Sequence, residues 1–263
     1  MNISEALMEK YGKDYLSYSS IKNALADMAL FDKYMKGELK FESEALQFGT
    51  LYDDMLFDPD FSNNYIVIDE NEIISGLSSK AQASTRPKMT KEYKDAVNEA
   101  WSSAIEDGKQ VVASSDYQKS RDMVNRLKQC GLYRTHLKGD YQVEFLKEID
   151  TSIGPVKFRG FLDCLGDGFI SDSKSSQSVS KFRYSVRDYG YDIQAYLYTK
   201  AFNIDQFYWV VQEKKDPYLP ALVECSEETL FAGEMKVNEA LESIKTFLQH
   251  GKEPTKNFIT FKI

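Results

Sequence analysis

The strongest constraint on this chain is a hairpin signal. Asp167-Gly168 lies between two apolar runs, Phe161-Leu162 with Cys164-Leu165 before it and Phe169-Ile170 after it. Asp-Gly in such a setting is the best short-range mark of a tight turn. A turn there fixes the register: Gly166 faces Phe169, Leu165 faces Ile170, Cys164 faces Ser171 and Asp163 faces Asp172. Side chains alternate along a strand, so Lys174 shares a face with Asp172 while Ser173 points away. Two carboxylates and an ammonium then converge on one patch of sheet. Like charges directly opposite each other destabilise a strand pair, and a divalent cation is the natural offset. Carboxylate oxygens suit Mg²⁺ or Mn²⁺ rather than soft metals. The same three residues would also make a plain salt-bridge cluster on a surface hairpin.

The rest of the chain sorts around this hairpin by period and punctuation. A helical pattern follows a cap at Ser19 or Ser20 and stops at Gly37, and a second helix covers 43–57, ended by Pro59. Tyr65–Ile68 reads as a short strand, and 69–90 as an exposed polar loop. Thr90 caps a helix to 107, and Ser114 or Ser115 caps another to 130, closed by Gly131. The period then changes to two, giving a strand at 141–149 with Glu144 off its apolar face. After the hairpin come a helix at 188–202, strands at 206–212 and 219–225, and a final helix from a cap at Ser226 to Gly251. This order predicts an α/β fold with a mixed central sheet flanked by helices. We expect a single domain over 1–263: N-terminal helices and a short strand (1–68), a loop and helical insertion (69–135), and a sheet-helix core (141–263).

Charge and cysteine usage limit the function classes. With 33 basic and 41 acidic residues the net charge is −8, which excludes indiscriminate nucleic-acid binding over the whole surface but leaves room for a local basic channel. Arg159, Lys181, Arg183 and Arg187 cluster in sequence about the hairpin and are the candidates for such a channel. Cys130, Cys164 and Cys225 have neither disulfide nor zinc spacing. No run is apolar enough to span a membrane, and the N-terminus lacks a signal-peptide pattern. A cytoplasmic setting is the expectation.

One more element narrows the chemistry. In Tyr191-Asp192-Ile193-Gln194-Ala195-Tyr196-Leu197-Tyr198, Gln194 and Tyr198 are four apart and share a helical face. Asp163, then Asp172-Ser173-Lys174, then Gln194-x-x-x-Tyr198 resembles the RecB-like branch of the PD-(D/E)XK nucleases. The run from Asp172 to Tyr198 is similar to the signature of RecE-type phage and prophage exonucleases, relatives of lambda exonuclease. Ser17-Tyr18-Ser19-Ser20-Ile21-Lys22 resembles that family's opening helix, and Phe48-Gly49-Thr50-Leu51-Tyr52-Asp53 with Phe57-Asp58-Pro59 its Gly-Thr-x-x-His…Glu-Pro segment.

The resemblance implies a Mg²⁺- or Mn²⁺-dependent exonuclease, phage or prophage encoded and working in a bacterial host. It would degrade duplex DNA ends 5′→3′ and leave 3′ overhangs for a RecT-like single-strand annealing protein in DNA recombination. It implies Asp163, Asp172 and the Ser173 carbonyl as metal ligands, Lys174 as the catalytic lysine and Glu144 as an upstream acid. Gln194 would hold Lys174 or the scissile phosphate, with Tyr198 in support. It also implies a homo-oligomer, a trimer or tetramer around DNA. Asp53 stands where the family has His, and aspartate can still ligate Mg²⁺. Two rivals remain: a non-cleaving protein that binds DNA ends or regulates recombination, and an endonuclease on the same fold.

Overall fold

In the computed structural model, which describes residues 2–39 and 43–251, polar side chains cap several helix starts, whereas the helix expected to be capped by Ser114 or Ser115 has Ala113 at its cap and no side-chain hydrogen bond there. Asn2 caps α1 (Ile3–Tyr11), its Oδ1 accepting the Ser4 N–H at 2.9 Å. The single helix expected after Ser19 is two, α2 (Tyr18–Ala26) and α3 (Met28–Met35), separated at Asp27. Asp27 is extended, and its carboxylate caps α3 through the Ala29 N–H. The cap of α2 is Ser17, which exchanges hydrogen bonds with Ser20 in a capping box. That leaves Ser19 inside the helix.

The middle of the chain carries α4 (Glu44–Phe57), β1 (Tyr65–Ile68), α5 (Glu70–Gly76), α6 (Ser79–Gln82), α7 (Lys91–Glu106), β2 (Gln110–Ala113) and α8 (Ser114–Gln129). The expected loop at 69–90 is therefore largely helical. Its short helices are started by the side chains of Asp69 and Ser78, which accept backbone N–H groups of the following turn.

The remaining elements are α9 (Gly131–His136), β3 (Asp140–Thr151), β4 (Gly154–Leu165), β5 (Phe169–Ser176), α10 (Phe182–Asp188), α11 (Tyr191–Phe202), β6 (Gln206–Glu213), β7 (Pro220–Glu224) and α12 (Glu227–His250). The helix expected over 188–202 begins later, because Gly190 at φ +72° separates α10 from α11. Ser226 caps α12 and Gly251 closes it at φ +62°, as the sequence indicates. Residue 1 and residues 252–263, the ends of the expected domain, lie outside the described residues. Among the described residues no helix is long and apolar enough to cross a membrane.

The chain forms two compact units, residues 1–41 with 131–263, and residues 42–130. The first holds a five-stranded mixed sheet in the order β3-β4-β5-β6-β7. The β5–β6 pair is parallel and the other pairs are antiparallel. Helix α11 packs against β3, β4 and β6 and is covered in turn by α12. Nearly every residue from Asp192 to Ala201 is buried, which suits a helix enclosed on all sides. The second unit is built on the two-stranded parallel pair β1–β2, from Tyr65↔Gln110 to Ile68↔Ala113, with α7 and α8 packed against it.

The α11–α12 contact depends on a missing side chain. A Cβ on Gly233 would lie 2.2 Å from the carbonyl oxygen of Asp192, a backbone atom that cannot yield cheaply. The neighbouring Lys236 ammonium donates to the buried Asp192 carboxylate at 2.6 Å. Gly233→Ala is expected to cost about 1–3 kcal/mol of stability, the usual scale of overpacking. Urea titration checks this, and an unchanged midpoint would show that the two helices can part without loss.

Candidate active site

The Asp167-Gly168 turn forms as the sequence requires. The Gly166 N–H donates to the Phe169 carbonyl at 2.9 Å, and Gly168 takes φ +82°. Leu165↔Ile170 and Cys164↔Ser171 are paired in the expected register. The ladder then stops. Asp163 and Asp172 are not ladder partners, contrary to the simple extension of the hairpin. Instead Asp163 Oδ2 accepts the Ser173 N–H at 2.8 Å. A side-chain carboxylate takes the place of a strand carbonyl where direct pairing would oppose two negative charges. On its other edge β5 stays paired with β6 along its whole length, from Phe169↔Gln206 to Ser176↔Glu213.

Asp172 is 2% exposed. Its Oδ1 accepts Gln194 Nε2 at 2.9 Å, and its Oδ2 forms an ion pair with the Lys174 ammonium. Lys174 Nζ also donates to the Ser173 carbonyl at 3.2 Å and lies 5.2 Å from the ring centre of Tyr191. Gln194 thus reaches Asp172. Tyr198, one turn further along α11, is buried edge-on to Phe145, with ring centres 5.4 Å apart. Gly160 makes room for both rings, since a Cβ there would meet Phe145 at 2.7 Å and Tyr198 at 2.9 Å. Burial pushes the Tyr198 hydroxyl up to about 12, while a hydrogen bond with Gln194 pulls the other way.

The Asp163 carboxyl is raised to about 7, first by burial and then by the charge of Asp172. The Lys174 ammonium and the Ser173 N–H oppose the shift. A carboxyl whose folded pKa lies above its unfolded value stabilises the fold at low pH and ceases to do so as pH rises through the folded pKa. The metal-free protein is therefore expected to lose thermal stability from about pH 4 to about pH 7, between the ordinary carboxyl value and the raised one. A divalent cation competing with that proton should flatten the trend, and Asp163→Asn should abolish it. Scanning calorimetry in EDTA and in Mg²⁺ checks this, and equal slopes in wild type and Asp163→Asn would rule Asp163 out as the cause.

The other expected site residues have settings of their own. Glu144 is an exposed partner of Arg159, whose guanidinium meets Glu144 Oε1 at 2.6 Å and also donates to the Tyr15 hydroxyl at 3.3 Å. Glu144 and Arg159 are diagonal neighbours across β3 and β4, since Glu144 faces Phe161 and Leu146 faces Arg159. Lys181 ends the turn before α10, Arg183 donates to the Tyr184 hydroxyl, and Arg187 pairs with Asp188. Asp53 lies on α4 in the second unit, next to Asp54, which accepts the Tyr65 hydroxyl at 2.6 Å. Among the described residues no three His, Cys, Asp or Glu side chains form a group able to hold a metal ion.

Two tyrosines near Lys174 were not picked out by sequence reasoning, Tyr191 and Tyr18. The Tyr18 hydroxyl donates to the Tyr189 carbonyl, and burial, followed by the nearby Tyr191, raises its pKa. Tyr18 and Tyr198 also line a groove of about 450 Å³ with Lys13, Tyr15, Ser19 and Arg159.

The hairpin donors suit a hard divalent cation. They are the carboxylates of Asp163 and Asp172 and the Ser173 carbonyl, all oxygens. Gln194 Oε1 is buried without a hydrogen bond and Asp172 Oδ2 has only the Lys174 ion pair, while burial and then the charge of Asp172 raise the Asp163 pKa. A cation here would relieve the repulsion between the two carboxylates.

Comparison with known proteins gives the chain a family and supports its fold. A family model described as a PDDEXK-like domain of unknown function (DUF3799) matches residues 17–257. No curated protein matches by sequence. A solved structure from Eubacterium rectale, of a protein assigned as an exonuclease, superposes with a TM-score of 0.60 at 15% identity, covering 99% of this chain and 92% of the other. A phage-related exonuclease from Haemophilus somnus shares 15% identity, over 70% of this chain and 94% of its own, with a TM-score of 0.32. An alkaline exonuclease from Laribacter hongkongensis shares 11% identity, over 70% of this chain and 90% of its own, with a TM-score of 0.30.

Proposed function

The chain belongs to the PDDEXK-like family DUF3799, and from that membership together with the hairpin geometry we propose that it is a metal-dependent exodeoxyribonuclease acting on duplex DNA ends, with 5′→3′ polarity. The observation that carries the reading is the contact set around Asp172. One buried carboxylate meets the Gln194 amide and the Lys174 ammonium, and the backbone N–H of the next residue, Ser173, is the one that Asp163 accepts. A salt-bridge cluster on a solvated surface would not bury its central carboxylate or supply it with a helix-borne amide.

In this proposal Asp163, Asp172 and the Ser173 carbonyl hold Mg²⁺ or Mn²⁺. When bound, the cation polarises the scissile phosphoryl oxygen and lowers the pKa of a coordinated water. Lys174, as the ammonium paired with Asp172, would orient the attacking water, and its charge would neutralise the crowded phosphorane oxygens; it could take the water's proton only after giving up its own. Gln194 fixes the rotamer of Asp172, and Tyr198 braces Gln194 from below. The groove lined by Lys13, Ser19 and Arg159 offers cations and hydroxyls to a DNA end, with Lys181, Arg183 and Arg187 as further phosphate contacts. Glu144 enters as a ligand only if it leaves Arg159. The product would be a 3′ overhang handed to a single-strand annealing protein, and the working form a homo-oligomer.

The test is digestion of linear duplex labelled at its 5′ or 3′ end, beside covalently closed circles, with Mg²⁺, Ca²⁺ or EDTA. Early release of the 5′ label, intact circles and no reaction in EDTA are the expected results. Nicked circles would indicate an endonuclease. Retention of DNA ends in Ca²⁺ with no cleavage in Mg²⁺ or Mn²⁺ would indicate a non-cleaving end-binding protein.

A further inference from the structure

The second unit contains a cavity that the hairpin chemistry does not use. Its volume is about 430 Å³, inside the range of about 300–1,000 Å³ typical of ligand pockets. Four aromatic side chains line it: Phe48 from α4, Tyr65 from β1, and Tyr93 and Trp101 from α7. Phe48 and Tyr65 are buried, whereas Trp101 is 44% exposed. The floor is thus fixed, and one large indole stands accessible at the side. The acids on the lining are Glu44, Glu70 and Asp116, against one cation, Lys109.

The charge around this cavity is uneven along the chain. Residues 42–79 contain nine acidic residues and no lysine or arginine, and the whole unit (42–130) has 16 acidic against 10 basic residues. The rest of the chain is nearly balanced, with 25 acidic and 23 basic. Most of the net negative charge therefore belongs to the second unit. Such a surface repels a phosphate backbone. It does not suit a bare metal ion either, since aromatic faces displace the several oxygen donors that a hard cation needs.

Aromatic faces together with carboxylates select an organic cation instead. The ring quadrupole attracts a guanidinium or ammonium over its face, and the carboxylates neutralise the charge. The unit already makes both contacts internally: the Lys119 ammonium lies 5.3 Å from the Phe48 ring centre, and Lys88 pairs with Glu70. We propose that this cavity is a docking site for a basic, partly apolar segment of a partner protein, with one arginine side chain seated against Trp101 between Glu44 and Asp116. The acidic 42–79 stretch supplies the complementary field that draws the segment in. The proposal is independent of the nuclease reading, because none of its residues is placed in the hairpin site.

The experiment titrates the full chain with acetyl-Leu-Arg-Leu-amide and with the same tripeptide carrying citrulline, an uncharged near-isostere of arginine. Tryptophan fluorescence is read, and Trp101→Phe protein assigns the signal to Trp101. The expected result is saturable binding of the arginine peptide, at least about fivefold tighter than the citrulline peptide, which is the scale of a partly desolvated cation–π contact. Glu44→Gln with Asp116→Asn should weaken it about fivefold more. Equal affinity for the two peptides would overturn the proposal in favour of a neutral apolar ligand. An absence of saturation up to millimolar peptide would overturn it outright. Since the citrulline comparison uses wild-type protein, a folding defect in the charge variant cannot mask either outcome.

Discussion

Asp172→Asn is expected to lose roughly 10³-fold or more of the DNA-degrading rate, because several kcal/mol of metal-borne charge stabilisation at 1.36 kcal/mol per decade is withdrawn at once. Stability should move little. The asparagine keeps the volume of the buried side chain and an oxygen for the Gln194 amide, which now donates to Asp172 Oδ1 at 2.9 Å. It removes the Lys174 ion pair, but it also removes the repulsion that raises the Asp163 pKa. These two changes act in opposite directions on the fold. Initial rates on end-labelled duplex, read beside a thermal melt, separate the cases. An inactive variant that is also unfolded would say nothing about chemistry, whereas a folded variant with full activity would remove Asp172 from the site.

Lys174→Ala is expected to act on both quantities. Loss of a group that orients or deprotonates the attacking water costs about 10²–10⁴ in rate. Removing one partner of a buried pair leaves the other uncompensated, at a cost of about 3–5 kcal/mol when both are fully enclosed. Lys174 keeps 20% of its side-chain exposure while Asp172 has 2%, so the loss should fall at the low end. Divalent cation should restore much of it by supplying the missing positive charge, since a ligand that binds only the folded state stabilises it. Differential scanning fluorimetry with and without Mg²⁺ checks the sign. Were added metal to leave the variant's melting temperature unchanged while raising that of wild type, Lys174 would be a metal-binding requirement and the charge-replacement account would be wrong.

The turn was legible in the sequence because Asp167-Gly168 has few other conformational uses between apolar runs. That Asp163 and Asp172 would not pair was hidden, since the side chain of Asp163 competes for a backbone donor, and strand alternation has no rule for that. Gln194 was legible through the resemblance of Gln194-x-x-x-Tyr198, set after the hairpin, to a nuclease motif. Its partner, Asp172, depends on how α11 lies on the sheet. Glu144 was placed on the right strand, yet the nearby Arg159 decides where its carboxylate points. The division into two units was hidden because β2 is four residues long, and a parallel pair of that length leaves almost no periodic trace. The caps at Asp69 and Ser78 were visible in the sequence but were outweighed by the polarity of the stretch around them.

Where the β4–β5 ladder ends, the Ser173 amide is bound to a carboxylate that titrates instead of to a carbonyl that does not. Its nitrogen and proton therefore sense the charge on Asp163 through a single hydrogen bond. In a ¹⁵N-resolved spectrum this one peak works as a built-in electrode. It should shift when Asp163 gains or loses its proton and shift again when a cation claims the same oxygens, so that the state of the hairpin can be followed without any substrate present.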